Sequence, residues 1–268
     1  MEIEGTTAVI TGASSGIGAA TAARLGLAGS RVVLVARTVD ALEDVAERVR
    51  AGGGTADVVP GDLSTPDVVA RVTADVLYRV GTPDIVVNNA GAGRWLSIVQ
   101  TESDEMMAMM AVPYFAAFNI TRGFLPAMLE RGRGTFVNLT SPAAFAPWPG
   151  SAAYSAARWA MRGFHEALRA DLHGTGVRSL LVVPSTVESG YWEHNPGSRE
   201  RTPAIGRLYR TLTPEEVAAA IERGLRHDRH EVFLPALLRA TTILQRVLPG
   251  VVRSVVIRTA PPAARRVI

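Results

Sequence analysis

Tyr154 and Arg158 stand four positions apart, and Ser141 precedes Tyr154 by thirteen residues. Positions i and i+4 share one face of a helix. A phenol titrates near about 10 and is a poor acid–base catalyst at neutral pH. A fixed cation beside it stabilises the phenolate and lowers that pKa, at about 1.4 kcal/mol per unit. A hydroxyl such as Ser141 can hold a substrate oxygen beside the phenol. Together these residue types could pass a proton to and from a carbonyl or alcohol oxygen. An ordinary amphipathic helix with no catalytic role also fits the spacing. The cation is arginine here because the chain contains no lysine: all 28 Lys+Arg residues are arginine. Beside abundant alanine and valine this looks like a coding bias, so it says nothing about selection at position 158.

A second group sits near the N-terminus. Thr11-Gly12-Ala13-Ser14-Ser15-Gly16-Ile17-Gly18 lies between an apolar run and an amphipathic one. Glycines let the backbone turn sharply and approach a pyrophosphate, and a helix N-terminus supplies free N–H groups and a positive dipole end. A tight turn that binds nothing is the alternative. After the second apolar run comes Val35-Ala36-Arg37-Thr38. An acid at this place would accept from the 2′-OH of NAD, whereas arginine pairs with the 2′-phosphate of NADP. Arg37 therefore favours NADP(H); the plainer reading is an exposed turn.

The elements that position these groups alternate between strand and helix. Strands are expected at Thr7–Ile10, Arg31–Ala36, Thr55–Val59, Asp84–Val87, Thr135–Leu139, Val177–Val183 and Glu231–Leu234. Helices are expected at Gly16–Ala28, Val39–Ala51, about Pro66–Val80, Ser103–Glu130 with Pro113 inside it, Ala152–His173 and Pro214–Arg226. Apolar strands alternating with amphipathic helices predict an α/β fold, a single doubly wound Rossmann-type domain. Its sheet would have seven mainly parallel strands with helices on both faces. Ser141 then ends a strand and Tyr154 opens a helix, both at the sheet's C-terminal edge.

Residues 1–234 are read as the cofactor-binding catalytic domain, including a substrate loop at 186–212, and residues 235–268 as a basic amphipathic extension. The chain has 268 residues, 47% hydrophobic and 20% charged, and no cysteine, which excludes disulfides, thiolate metal sites and cysteine nucleophiles. The charged start at Met1–Glu4 and the lack of an apolar run of about 18–20 residues give no expectation of a signal peptide or membrane span, and a cytoplasmic location is expected. A formal charge of +3 is small, and no nucleic-acid partner is expected.

The motifs in order resemble the short-chain dehydrogenase/reductase family, in its single-domain form of roughly 250 residues. They are Thr11-Gly12-(x)3-Gly16-x-Gly18, Asp62 after the third strand, Asn88-Asn89-Ala90-Gly91 after the fourth, Ser141 and Tyr154, and the resemblance runs from about Thr6 to Leu234. It implies hydride transfer between nicotinamide C4 and a carbonyl or alcohol carbon, with Tyr154 as proton donor in reduction and Ser141 orienting the carbonyl. It implies cofactor contacts from Gly12, Ser14, Ser15, Gly16, Ile17 and Gly18. Asp62 and Leu63 would meet the adenine, Asn89, Ala90 and Gly91 the cleft, and Tyr154 and Arg158 the nicotinamide ribose. Pro184, Val187 and Ser189 would meet the nicotinamide amide. Homodimers or homotetramers, built on the Ser103–Glu130 and Tyr154 helices, follow from the same resemblance.

Three positions depart from the family pattern. Its lysine is Arg158, which stays charged but is planar and bulkier and cannot lose a proton. Its helix asparagine, whose backbone carbonyl holds a relay water at a kink, is Pro113, which keeps the carbonyl and kinks a helix itself. Its Pro-Gly is Pro184-Ser185, which adds a Cβ near the cofactor. The sequence thus leaves two readings: a working oxidoreductase, or a catalytically impaired NADP(H)-binding protein acting as a sensor or inactive partner subunit.

Trp95, Phe145, Trp148, Tyr191, Trp192 and Tyr209 are expected at the cleft mouth, which suits an apolar carbonyl or alcohol substrate; packing within the loop is the alternative for such rings. Met106, Met107, Met109 and Met110 fit core packing or the subunit interface. His165, His173, His194, His227 and His230 lack supporting carboxylates, and no metal is assigned. After Glu231 there are no acids but six arginines: Arg239, Arg246, Arg253, Arg258, Arg265 and Arg266. Pro249-Gly250 should divide this stretch into two short helices. A peripheral membrane contact through 235–258, packing over the pocket and docking on a second subunit are all open to it.

Overall fold

The structure, a computed structural model, describes residues 1–262 apart from Ala92 and Pro147, and leaves the side chains of His194 and Arg207 undescribed. Arg265 and Arg266 lie outside the described residues. The strands are β1 (Thr7–Thr11), β2 (Arg31–Ala36), β3 (Thr55–Pro60), β4 (Ile85–Asn88), β5 (Gly134–Leu139), β6 (Val177–Pro184) and β7 (Glu231–Leu234). All pair in parallel, in the order β3-β2-β1-β4-β5-β6-β7. The main helices between them are α1 (Gly16–Leu27), α2 (Val39–Ala51), α3 (Pro66–Val80), α4 (Ser103–Met110), α5 (Ala116–Arg131), α6 (Ala152–Asp171), α7 (Tyr191–His194) and α8 (Pro214–Arg226). After β7 come α9 (Leu237–Val247) and α10 (Pro249–Arg258).

The strands are mostly apolar because helices cover both faces. Alternate residues feed separate cores. Ala8, Ile10, Val32, Leu34, Ile85 and Val87 pack under α1, α2 and α8. Val9, Val33, Val35, Val86 and Phe136 pack under α3 and α5, where Phe124 is fully buried. Truncating Phe124 to alanine there would cost about 3–5 kcal/mol in lost burial and an unfilled cavity.

Winding from β1 to β2 and β3 goes one way, and β4 returns to the other side of β1. That reversal opens a crevice at the C-terminal ends of β1 and β4, the place where open α/β sheets bind ligands. The expected helix from Ser103 to Glu130 is interrupted. Between α4 and α5 lies a π turn, Ala111–Phe115, with Pro113 buried in it. Proline has no N–H to return to the residue four back, and the wider turn accommodates its ring.

Candidate active site

The crevice floor is a hydrogen-bonded knot. Thr11 Oγ1 donates to the Val87 carbonyl (3.0 Å) and accepts from the backbone N–H groups of Asn89 and Ala90 (3.0 Å each). Asn89 Nδ2 donates to the carbonyls of Thr11 (3.0 Å) and Gly12 (3.1 Å). Gly12 has φ 64°, and a Cβ there would come within 2.9 Å of Ala90 Cα; a Cβ on Gly18 would run into the Gly12 carbonyl oxygen. The knot thus requires glycine at both places and leaves the first turn of α1, behind Ser14, Ser15, Gly16 and Ile17, with N–H groups that no helical carbonyl can satisfy.

Arg37 and Asp62 follow β2 and β3, and Arg37 is exposed. The Ser64 backbone N–H donates to Asp62 Oδ1 at 3.0 Å. That bond, the Ser64 hydroxyl and the nearby Arg37 charge hold the Asp62 carboxyl below the usual carboxylate range. Leu63 beside it is buried.

β5 and α6 lead to the three polar residues. Ser141 follows β5, and its Oγ accepts from Ala143 N at 3.3 Å. Thr140 Oγ1 donates to the Arg158 carbonyl at 3.0 Å, tying the strand end to α6. Helix α6 is alanine-rich, and Tyr154, Ala157, Arg158, Met161, His165 and Leu168 form its buried stripe. Ser141, Tyr154 and Arg158 are 8%, 7% and 8% exposed, so all three lie beneath the surface. The Arg158 guanidinium carbon stands 4.9 Å from the centroid of the Tyr154 ring. A Cβ on Gly91 would lie 3.1 Å from Arg158 Nη2, so Gly91 makes room for the wide guanidinium.

Aromatic side chains close the site. Trp95 lies 5.6 Å from Tyr154, 5.0 Å from Trp148 and 6.1 Å from Trp192, centroid to centroid. Tyr191 Oη donates to the Gly93 carbonyl at 2.5 Å, Trp192 Nε1 to the Val187 carbonyl at 2.9 Å, and the Trp95 backbone N–H to Ser198 Oγ at 3.0 Å. Burial first, and then the neighbouring Tyr154, push the Tyr191 phenol well above its ordinary value. Phe145 and Tyr209, expected at the same mouth, stand apart from this cluster. Phe145 packs with Ala144, Leu181, Val183 and Leu238, and Arg162 lies 4.1 Å over its ring. Tyr209 reaches the same cluster and donates to Thr241 Oγ1 at 2.7 Å. The short turn Pro142–Ala144 ends at Phe145 and leaves its ring in this second cluster.

The loop after β6 crosses in front of the glycine loop. Ser185 N donates to the Leu234 carbonyl (2.7 Å), and its Oγ to the Arg210 carbonyl (3.4 Å). Val187 bridges Leu212, and Ser189 Cβ would lie 3.4 Å from a Cβ on Gly16. Ser189 thus lies beside the glycine loop, whereas Val187 packs into the core and Pro184 ends β6.

The short chain dehydrogenase pattern matches residues 6–198, well over half of the chain. The chain belongs to the short-chain dehydrogenase/reductase family. A 1-deoxy-11-beta-hydroxypentalenate dehydrogenase of Streptomyces avermitilis is 35% identical over 239 residues, covering 88% of this chain and 87% of that protein. A metagenomic short-chain oxidoreductase crystallised with NADP superposes with TM-score 0.73 at 32% identity, covering 87% of this chain and 97% of that one. A short-chain dehydrogenase/reductase from Burkholderia phymatum in complex with NAD gives TM-score 0.84 at 25% identity, covering 94% and 97%. The chain is thus a short-chain oxidoreductase of the kind that uses a nicotinamide cofactor.

The residues present fit such a cofactor. The start of α1 after the glycine turn leaves N–H groups free for a pyrophosphate, and the buried Arg158 Nε has no hydrogen-bond partner among the described residues. A ribose hydroxyl beside it would supply an acceptor. Several contributors escaped sequence reasoning. Thr140 and Gly93 act through a side-chain-to-carbonyl bond and a carbonyl acceptor, and Asn195 holds the Tyr191 carbonyl at 2.7 Å. None carries a motif, so no spacing signal marks them.

Proposed function

We propose that this short-chain dehydrogenase/reductase is an NADP(H)-dependent enzyme that interconverts a carbonyl and an alcohol on a largely apolar substrate. The observation that carries the reading is Tyr154, nearly buried beside the Arg158 cation and packed with Trp95, Trp148, Tyr191, Trp192 and Ala143, the last held by the buried Ser141. Bound NADPH would supply the hydride, and NADP+ would accept it in the reverse direction. In reduction, Ser141 Oγ donates a hydrogen bond to the substrate carbonyl oxygen and orients it. Tyr154 Oη gives that oxygen a proton as the carbon receives the hydride, so an alcohol and a tyrosinate result. In oxidation the tyrosinate takes the alcohol proton back. Arg158 stays charged throughout and acts as a fixed cation beside the ring. Pro113, in its π turn, keeps a backbone carbonyl at the kink, which supports a surviving site for a relay water.

Arg37 supports NADP(H) over NAD(H), because an arginine after β2 pairs with a 2′-phosphate. The aromatic cap supports an apolar substrate. The Streptomyces avermitilis relative is named for a hydroxylated carboxylate, and the alcohol function is what we carry over. A second reading, an NADP(H)-binding protein with little turnover, draws on Arg158, Pro113 and Ser185 and on the latched cap above Tyr154. Fluorescence titration with NADPH and NADH, followed by a panel of ketones and alcohols, separates the two. The enzyme reading expects turnover on the panel, and expects Arg37→Ala to weaken NADPH by about tenfold or more, with NADH little changed. Tight NADPH binding with no turnover on any member, and activity appearing on Arg158→Lys, would establish the second reading.

A further inference from the structure

The last two described helices bury the wrong face for a core element. α9 packs inward through Leu238 and Thr242. Its outward arc is apolar: Leu237 is 60% exposed, Ile243 52% and Val247 69%. Leu248 and Val251 continue this surface across the junction with α10 at 47% and 54%. Arg239 and Arg246, seven residues apart, sit on the margin of the arc, and Arg253 is exposed on α10. No acidic residue follows Glu231 in the chain. The result is an outward apolar strip edged by arginine, with no carboxylate from its own segment to offset the charge.

We infer that the α9–α10 hairpin docks on the surface of an anionic lipid bilayer. Amphipathic segments with an apolar strip and basic flanks lie in the bilayer interface and gain from both burial and charge. Charge argues against a second copy as the occupant. A two-fold contact through this strip would set Arg239 and Arg246 against their own counterparts, with no acid on the hairpin to pair them. Length argues against crossing. The helices hold 11 and 10 residues and bend by 117°. At about 1.5 Å per residue each is roughly half of a hydrocarbon core of about 30 Å.

The hairpin is also fastened to the substrate loop. Tyr209 Oη donates to Thr241 on α9, and Ala204 N donates to the Thr259 carbonyl just beyond α10 at 3.1 Å. The loop that carries Tyr191 and Trp192 over Tyr154 therefore returns along the membrane-facing element. If the apolar-substrate reading holds, on which this consequence rests, an oxidisable or reducible compound dissolved in the bilayer would meet the loop directly.

Sedimentation of the full chain with vesicles tests the docking without any activity readout. Vesicles of phosphatidylcholine alone are compared with vesicles carrying phosphatidylglycerol, at about 50 and about 500 mM salt. Expected is pelleting with the anionic vesicles that weakens at high salt, and little with phosphatidylcholine. Each of Arg239→Ala and Arg246→Ala should weaken binding about fivefold. Ile243→Asp with Val247→Asp should abolish it, while sedimentation velocity and melting temperature stay unchanged, since both side chains are exposed. Equal pelleting on both lipids, or none on either, would overturn the inference. So would dissociation of an oligomer by the double aspartate variant, which would assign the strip to a second copy.

Discussion

In the chemistry we propose, Tyr154 and Arg158 are the central pair, and the arginine sets its terms. The guanidinium carbon lies 4.9 Å from the tyrosine ring centroid and the group abuts Gly91, where no Cβ competes for space. On this account the side chain supplies charge and a ribose contact, neither of which needs a removable proton. Arg158→Ala should therefore lower kcat and raise the KM for NADPH together, by about tenfold or more each, as loss of a buried charged contact implies. Arg158→Lys should stay within about tenfold of the wild type, because the cation survives. Steady-state kinetics of the two variants checks this; an alanine variant as active as the lysine one would remove Arg158 from the mechanism. The i, i+4 spacing made the pair legible in the sequence. The seating against Gly91 was not, since it depends on how β4 and α6 approach each other.

At the scale of elements, a chain of buried polar groups crosses the middle of the sheet. Asn88 Nδ2 on β4 donates to Asn138 Oδ1 on β5 (2.8 Å), and Asn138 Nδ2 donates to Ser179 Oγ on β6 (3.1 Å). Ser179 Oγ bonds His165 Nδ1 on α6 at 2.8 Å. His165 is fully buried. Burial, with smaller contributions from the Arg169 and His230 charges, pushes its pKa from 6.5 down to about 3. The unfolded chain therefore takes up the proton first as pH falls. Stability is fully present above the unfolded value of 6.5 and is lost towards about 3. The loss approaches about 1.4 kcal/mol per pH unit in that window. Denaturant melts between about pH 6.5 and about pH 4 should show this slope in the wild type and a shallower one in His165→Gln; equal slopes would contradict it. Strand and helix order was readable because apolar runs alternate with amphipathic ones, and boundaries fall within a few residues. The interruption between α4 and α5 was only half visible. Pro113 announced a kink, but a π turn rather than a break depends on the buried seat of its ring. Phe145 shows the same limit, because it packs under Arg162 and against Phe233 and not with the aromatic cluster at Tyr154.

At the scale of the whole molecule, parallel pairing and the reversal at β1 place every polar group of the site on one edge of one sheet. Elsewhere α5 presents Phe118 beside the packed rings of Tyr114 and Phe164, and α6 presents Trp159, the two 45% and 48% exposed. Phe115 in the preceding π turn is 48% exposed. Aromatic surface of this kind suits a subunit interface. Sedimentation velocity should therefore show an oligomer that Phe118→Arg or Trp159→Arg dissociates to monomer; a monomeric wild type would contradict that assembly. The places of the glycine loop, Arg37, Ser141 and Tyr154 after β1, after β2, after β5 and early in α6 were legible because each sits in a fixed strand or helix context. The cap was legible only as a set of aromatics, since Tyr191 Oη finds a backbone carbonyl almost a hundred residues away. The central claim is that Tyr154 drives hydride exchange with a nicotinamide. The most direct test is mass spectrometry of alcohols formed from a series of cyclic ketones and NADPH deuterated at C4. We predict one deuterium on the carbinol carbon with the wild type and no product with Tyr154→Phe, which should still bind NADPH. Deuterated product in equal yield from both proteins, or none from either despite NADPH binding, would contradict it.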